Sequence, residues 1–330
     1  MRRAPAHAGS LRGSERLAFM LALALMAAFV VGLTVTASRH GVGGIGTPTT
    51  AAGSRAVPAG SGESASARKS GTSAGGHAGQ PDGSASAGTF SVSAALSSLL
   101  ATALQPVART DGGEISVGVV NESTGTEALY HADRLYHSAS IVKADILAAL
   151  LYQHQVARTA ISPADRALAT TMIENSNDSA ATRLWRAIGR GSGLAAANKA
   201  LLLRHTVPGS ADDWGLTRTT VGDQLQLLAD LTSEASPLAP ASRDYELGLM
   251  ANVAPAQRWG VAAAATPGTG EAVKNGWLPD PKLWAINSMG VIQRRGEELL
   301  IVVLSKDNPT EAAGIAVARA AALAAAAVMT

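Results

Sequence analysis

The sequence predicts an α/β protein of the α+β type: an antiparallel sheet flanked by an N-terminal and a C-terminal helix, plus an all-helical lobe. Three observations predict it. Strand-like segments form an early pair and a late group of three, and only helix-like segments lie between them. Consecutive strands joined by short turns pair antiparallel. The helical block is too large for a loop, so the cleft between lobe and sheet is the natural ligand site.

The early elements follow from local patterns. Ser91–Val107 has apolar residues at three- and four-residue spacing, which predicts a helix. Glu114–Asn121 alternates and is rich in β-branched residues, and after a turn Glu127–Asp133 is the returning strand. We therefore expect a hairpin to follow the first helix.

The middle and late elements complete the order. The helical block is expected at 137–151, 162–175, 178–189, 193–203 and 219–233. The late strands are expected at 271–279, 282–294 and 298–306, followed by an Ala-rich helix at 310–328. The two end helices should cover one face of the sheet.

The N-terminal residues predict a membrane anchor. A basic segment at 1–16 precedes Leu17–Ala37, which has no charged residue and is long enough to cross a bilayer as a helix. Its length favours an uncleaved anchor, although Val35-Thr36-Ala37 could be cut as a signal site, which would give a secreted protein. The arginines should stay in the cytoplasm, which places the rest of the chain outside a single-pass anchor.

Residues 38–88 are predicted to be a disordered linker. They are dominated by Gly, Ser, Ala and Thr, so almost nothing there can be buried. From residue 89 the composition becomes globular, and 89–330 is long enough for one well-cored domain. We expect this domain to be a monomer.

Composition excludes several classes of function. The sequence has 0 Cys, so it has no disulfide, cysteine nucleophile or lipid-modified cysteine. A net charge of +2 and 4% aromatic residues argue against a nucleic-acid partner. The seven histidines are scattered, so neither a metal nor another cofactor is expected.

Ser140 and Lys143 are the first candidate pair. At i, i+3 spacing both side chains project from one face of a helix. A serine hydroxyl becomes a useful nucleophile when a base takes its proton, and a desolvated lysine can be that base. Alone, however, this spacing is more often a capping serine beside an exposed lysine.

Two further stretches strengthen the pattern. Ser176, Asn177 and Asp178 stand at a helix start, and Lys274, Asn275 and Gly276 stand in a late strand. Each triplet alone is ordinary, since the first reads as a helix cap and the second as a surface strand. With Ser140 and Lys143 they occur in the order helix, helix start, late strand. In this order the globular part resembles class A β-lactamases and penicillin-binding proteins, with their S-x-x-K, S-D-N and K-T-G motifs.

The resemblance implies a β-lactamase/transpeptidase-like fold and a serine hydrolase with no cofactor. Ser140 would be the acylated nucleophile, and Lys143 its base or part of a proton relay. Ser176 would pass a proton to the leaving nitrogen. The substrate would be a β-lactam or a peptidoglycan peptide.

The resemblance also implies substrate-binding residues. Asp178 stands where the family usually has an asparagine that binds the substrate amide. Lys274 would attract a substrate carboxylate, with Asn275 in place of the family's Thr or Ser. Gly276 would let the substrate lie against the strand, and the N–H of Trp277 would share the oxyanion hole with the nucleophile's own N–H.

The departures from the family pattern leave three hypotheses. The second motif reads Ser-Asn-Asp, and Leu203–Trp214 has no glutamate to activate a deacylating water, only Asp212 and Asp213. Glu174 is a candidate substitute base. The first hypothesis is a β-lactamase-type hydrolase. The alternatives are a D,D-peptidase or slowly deacylating penicillin-binding protein, and a non-catalytic tethered sensor.

Overall fold

The computed structural model describes residues 90–111, 113–280 and 283–330. The predicted basic segment, membrane anchor and linker all lie outside these described residues. All of the described residues belong to one compact unit, which contains residues 83–330.

A six-stranded sheet forms the centre of this unit. Its strands are β1 (Ser91–Val92), β2 (Glu114–Asn121), β3 (Thr126–Tyr130), β6 (Glu271–Asp280), β7 (Leu283–Arg294) and β8 (Glu297–Asn308), and their order is β1-β3-β2-β8-β7-β6. All neighbours pair antiparallel except β1, which runs parallel to β3. Two short strands, β4 (Tyr136–His137) and β5 (Arg218–Thr219), pair separately. The predicted antiparallel sheet is confirmed, with β1 as an added parallel edge.

The end helices cover one face of the sheet, as predicted. They are α1 (Ala94–Asp111) and α8 (Glu311–Met329), and they pack on each other and on the strands. Helix α8 is long and apolar enough to cross a membrane by length and composition. Its inward residues, such as Ala318 and Ala322, are fully buried against the sheet, so in this unit it is a core helix.

The other helices form the lobe. They are α2 (Val142–Ala157), α3 (Pro163–Glu174), α4 (Asp178–Ala187), α5 (Arg190–Ala200), α6 (Val221–Thr232) and α7 (Pro240–Ala251). Helix α2 runs through the lobe, and every residue from Val142 to Leu151 is buried. A second core cluster joins the lobe to the opposite face of the sheet through residues such as Met289 and Leu300.

At two of the predicted helix starts the chain forms a strand before the helix begins. The first helix begins at Ala94 rather than Ser91, because Ser91 and Val92 pair with β3. The helix expected from residue 137 begins at Val142, because His137 lies in β4. A 3₁₀ turn, Ala139–Ile141, joins that strand to α2.

Candidate active site

The turn before α2 fixes the position of Ser140. Ala139 has φ +49°, a left-handed conformation that costs energy for a non-glycine residue and that the surroundings must enforce. The Asn287 amide of β7 supplies part of this restraint by donating to the carbonyl oxygens of His137 and Ser138, at 2.8 and 3.0 Å. The strand therefore holds the turn in place, with Ser140 only partly buried.

Lys143 is fully buried and lies at the centre of the site. Its Nζ is 2.9 Å from Ser140 Oγ and 2.7 Å from Asp178 Oδ1. It also donates to Ser176, to the carbonyl oxygen at 2.6 Å and to Oγ at 3.1 Å. Burial lowers the pKa of Lys143, and the Asp178 carboxylate opposes that change without cancelling it. A lysine with a lowered pKa is a better base near neutral pH.

Ser176 sits in the link between α3 and α4. It has φ +53°, and the next residue, Asn177, caps α4 by accepting from the Ala180 N–H at 2.8 Å. Asn177 thus caps α4, as the capping interpretation of this stretch predicts, and the adjacent Ser176 lies beside Lys143. The cap turns the chain so that the Ser176 hydroxyl faces Lys143.

Lys274 contacts the same hydroxyl from β6. It is 1% exposed, and its Nζ is 3.1 Å from Ser176 Oγ and 2.8 Å from the carbonyl oxygen of Asn275. Burial first, and then the charge of Lys143, hold the pKa of Lys274 well below its usual range, while Asp178 opposes this. The Ser176 hydroxyl therefore lies between two ammonium groups, each 3.1 Å away.

Gly276 lets β6 approach the serine turn. A Cβ at this position would lie 2.6 Å from the backbone nitrogen of Ser140 and 2.8 Å from that of Ile141. No side chain fits there without moving backbone. Trp277, the next residue, is half-buried, and its ring centroid lies 6.1 Å from that of Trp259.

The Asn275 side chain contacts a neighbouring loop. Its Nδ2 donates to the carbonyl oxygens of Gln257 and Trp259, at 2.6 and 3.1 Å. Its Oδ1 is buried with no hydrogen-bond partner among the described residues. The amide thus secures the segment before β6, whereas a role for Asn275 in substrate binding stays a prediction.

Asp178 is the most accessible charged group of the site. Its side chain is 45% exposed, although one carboxylate oxygen pairs with Lys143. The resemblance assigns this position to an amide that donates to the substrate. An ionised carboxylate only accepts hydrogen bonds, so the chemistry offered here is different.

In Leu203–Trp214, the segment expected to hold a deacylating base, Asp212 and Trp214 make other contacts. Asp212 pairs with Arg186 and Arg190, and these hydrogen bonds lower its pKa to about 2. The Trp214 ring centroid lies 4.8 Å from Lys143 Nζ, a cation–π distance, and its Nε1 donates to Thr182 Oγ1 at 3.1 Å. No local pattern in the sequence signals this contact between Trp214 and Lys143.

Three of the predicted catalytic side chains are therefore in direct contact, and Lys274 joins them. Within the described residues, no group of three or more His, Cys, Asp or Glu side chains could hold a metal ion. The arrangement can supply a serine nucleophile, a buried amine beside it and a second hydroxyl that relays protons.

Comparison of the sequence with known proteins gives a distant match. No family model matches the chain. Over 132 residues it is 27% identical to proteins named "Putative lipoprotein LppW" from Mycobacterium tuberculosis and Mycobacterium bovis. This match spans 40% of the chain and 42% of the length of those relatives.

Comparison with solved structures is more informative. A β-lactamase from Xanthomonas campestris pv. campestris has a TM-score of 0.61 at 18% identity, over 71% of this chain and 99% of that one. PBP-A has a TM-score of 0.62 at 18% identity, over 73% and 97%. A PBP-A mutant solved as an acyl-enzyme complex with penicillin G has a TM-score of 0.61 at 18% identity, over 70% and 96%. The chain has the fold of the β-lactamase and penicillin-binding protein superfamily, as the sequence motifs predict.

Proposed function

We propose that this chain, which has the β-lactamase and penicillin-binding protein fold, is a serine hydrolase of class A β-lactamase type. It opens a β-lactam amide through an acyl-Ser140 intermediate. One observation carries the proposal: Lys143 Nζ lies within 3.1 Å of the hydroxyls of both Ser140 and Ser176. If Lys143 were only a surface lysine beside a helix-capping serine, it would be exposed and would not be fully buried between two hydroxyls.

In the proposed acylation, Lys143 in its neutral form takes the proton of Ser140 as Oγ attacks the carbonyl carbon. The N–H groups of Ser140 and Trp277 stabilise the developing oxyanion. The amide C–N bond then breaks, and the nitrogen takes a proton from Ser176, which Lys143 reprotonates. Lys274 stabilises negative charge on Ser176 during this transfer.

A second candidate function is a slowly deacylating penicillin-binding protein or D,D-peptidase acting on peptidoglycan. A specific observation favours it: Trp214 covers Lys143, and Asp212 is engaged by two arginines. A water that attacks the acyl-enzyme would therefore lack a general base, and such a base typically contributes about 10²–10⁴-fold. Glu174, at the end of α3, stays a candidate substitute.

The test is intact-mass spectrometry of the full chain during incubation with penicillin G. An adduct that appears and decays with product release supports the hydrolase, and a long-lived adduct supports the penicillin-binding protein. Ser140→Ala should form no adduct, whereas the control Ser179→Ala, at an exposed serine in α4, should react like the parent. If the parent forms no adduct and behaves like Ser140→Ala, the proposal is wrong and the result supports a non-catalytic sensor.

We also propose that Leu17–Ala37 tethers the chain to the cell membrane, with the catalytic domain outside the cytoplasm. The name lipoprotein, given to the mycobacterial relatives, supports membrane association. Because this sequence has no cysteine to carry a lipid, the apolar segment would have to be the tether. Fractionation of cells expressing the full chain, compared with a chain that starts at residue 38, tests this directly.

A further inference from the structure

The charged groups of the site differ sharply in their access to solvent. The two lysines are buried, Lys143 at 0% and Lys274 at 1% exposure, whereas the Asp178 side chain is 45% exposed. A substrate that enters the site therefore reaches a carboxylate before it reaches either ammonium group.

The ionised Asp178 carboxylate accepts hydrogen bonds and cannot donate them, so its partner must be a hydrogen-bond donor. Its Oδ1 accepts from Lys143 at 2.7 Å, and the exposed carboxylate keeps further lone pairs free for a substrate. An asparagine at this position could donate to a substrate carbonyl, but a carboxylate repels that oxygen. The group that a well-fitting substrate places here must carry N–H donors, and a positive charge would strengthen the contact.

We propose that the acyl donors preferred by this site carry an ammonium group on the acyl side chain attached next to the reacting carbonyl, and that Asp178 binds this group. The proposal rests on the acylation of Ser140 proposed above. It names the substrate class: lactams or peptides with a free amine on the acyl side.

Binding of such a substrate would also favour the reactive form of Lys143. Asp178 stabilises the Lys143 ammonium, as the opposing effect of its charge on the pKa of that lysine indicates. A substrate ammonium shares this carboxylate and repels the lysine charge, so Lys143 releases its proton to solvent more readily. The neutral amine then accepts the Ser140 proton as the Oγ–C bond forms. The same contact thus selects the substrate and prepares the base.

Two penicillins provide a matched pair of probes. Ampicillin differs from penicillin G by one amino group on the acyl side chain. The second-order rate constants for acylation of the full chain by each are measured by intact mass, for the parent and for Asp178→Asn. The control is Asp212→Asn, which removes a carboxylate bound to Arg186 and Arg190 instead of to the catalytic lysine.

We expect the parent to react about fivefold or more faster with ampicillin, the size of one charge-assisted contact. The ratio should fall toward one at high salt, because a half-exposed charge is screened. Asp178→Asn should lose the preference for ampicillin over penicillin G, whereas Asp212→Asn should keep it. Equal rates in the parent, or a preference that survives in Asp178→Asn, would overturn the inference.

A binding measurement separates this inference from the proposed function. In Ser140→Ala no acylation takes place, and thermal shifts with the two penicillins report non-covalent binding alone. A larger shift with ampicillin that disappears in Ser140→Ala/Asp178→Asn supports the selectivity even if the parent never acylates. Equal shifts reject it even if the parent acylates rapidly.

Discussion

Two buried charged residues, Lys143 and Asp145, lie two positions apart on α2 and have opposite surroundings. Lys143 Nζ lies within hydrogen-bonding distance of four oxygen atoms. Asp145 is 1% exposed and accepts one hydrogen bond from a side chain, Gln224 Nε2 at 3.1 Å, while its Oδ2 has no partner among the described residues. Glu246 on α7 is fully buried, and neither of its carboxylate oxygens has a hydrogen-bond partner among the described residues. The start of α2 thus contributes Lys143 to a hydrogen-bonded reaction site, and two positions further on it contributes Asp145 to a pair of buried acids with few donors, the other being Glu246.

The difference shows what each cluster does with its charge. Burial raises the pKa of Asp145 to about 7, and burial together with the nearby Asp145 raises that of Glu246 well above its usual range. These acids therefore tend to stay neutral, which is the usual response of an unpaired buried acid. Near Lys143, two hydroxyls, a carbonyl oxygen and the Asp178 carboxylate lie within hydrogen-bonding distance of the buried amine and offset part of the cost of burying it. We infer that the front cluster, Lys143 with the groups that it contacts, governs reactivity. The rear cluster, Asp145 with Glu246, governs stability.

The largest effect that sharpens this comparison is expected for Lys143→Met. Loss of the base should lower the rate of acylation by penicillin G about 10²–10⁴-fold. The fold should survive, because the Asp178 carboxylate left behind is half-exposed and can be hydrated. Stopped mass-spectrometric time courses measure the rate, and urea denaturation measures the free energy of unfolding.

Lys199→Met is the control for that variant, since Lys199 is exposed on α5. It should acylate at the parental rate. Acylation of Lys143→Met within a few-fold of the parent would mean that Ser140 is activated by another group, and the contrast between the two clusters would then lose its functional side.

The next effect concerns the rear cluster and pH. An acid whose pKa is raised by folding binds its proton more tightly in the native state, so its contribution to stability is complete below about pH 4 and is lost as pH rises through about 7. For Asp145 this loss is on the order of a few kcal/mol. Asp145→Asn cannot ionise, and its free energy of unfolding should therefore fall less between pH 4 and pH 8. Acylation by penicillin G should be unchanged.

Asp223→Asn is the matched control, because Asp223 is also buried but accepts from the His205 N–H at 2.8 Å and from the Thr206 hydroxyl at 2.7 Å. Replacing one acceptor oxygen with an NH₂ group removes an acceptor and should destabilise the fold at neutral pH. Unfolding curves for the parent and Asp145→Asn that change in parallel with pH would contradict a neutral acid at this position.

The fold and the core of the site were accessible from sequence because their signals are local or ordered along the chain. Alternating β-branched residues marked β2, and the three motifs stand in an order that only a few folds share. Gly276 could also be anticipated, since close approach of two backbones demands a residue without Cβ.

The remaining features depend on tertiary neighbours that no local pattern specifies. The Asn275 amide binds two carbonyls of a loop, and its position in the motif gives no indication of this. The proximity of Asp145 and Glu246 joins residues about a hundred positions apart, and each alone looks like a helical surface acid. Helix α7 itself lacks a strong apolar period. The contact between Trp214 and Lys143 joins residues about seventy positions apart.

The smallest predicted effect is expected from the replacement of Trp214. The Trp214 ring stabilises the Lys143 ammonium by a cation–π contact worth about 0.5–1 kcal/mol, so Trp214→Leu should favour the neutral amine and raise acylation near pH 7 about two- to fivefold. The rising limb of the acylation rate against pH should move to lower pH. Thr182→Val removes the hydrogen-bond partner of the indole N–H but keeps the ring. The rising limb of its acylation rate against pH should therefore coincide with that of the parent. An unmoved limb in Trp214→Leu would mean that the burial of Lys143, with no help from the ring, sets its proton affinity.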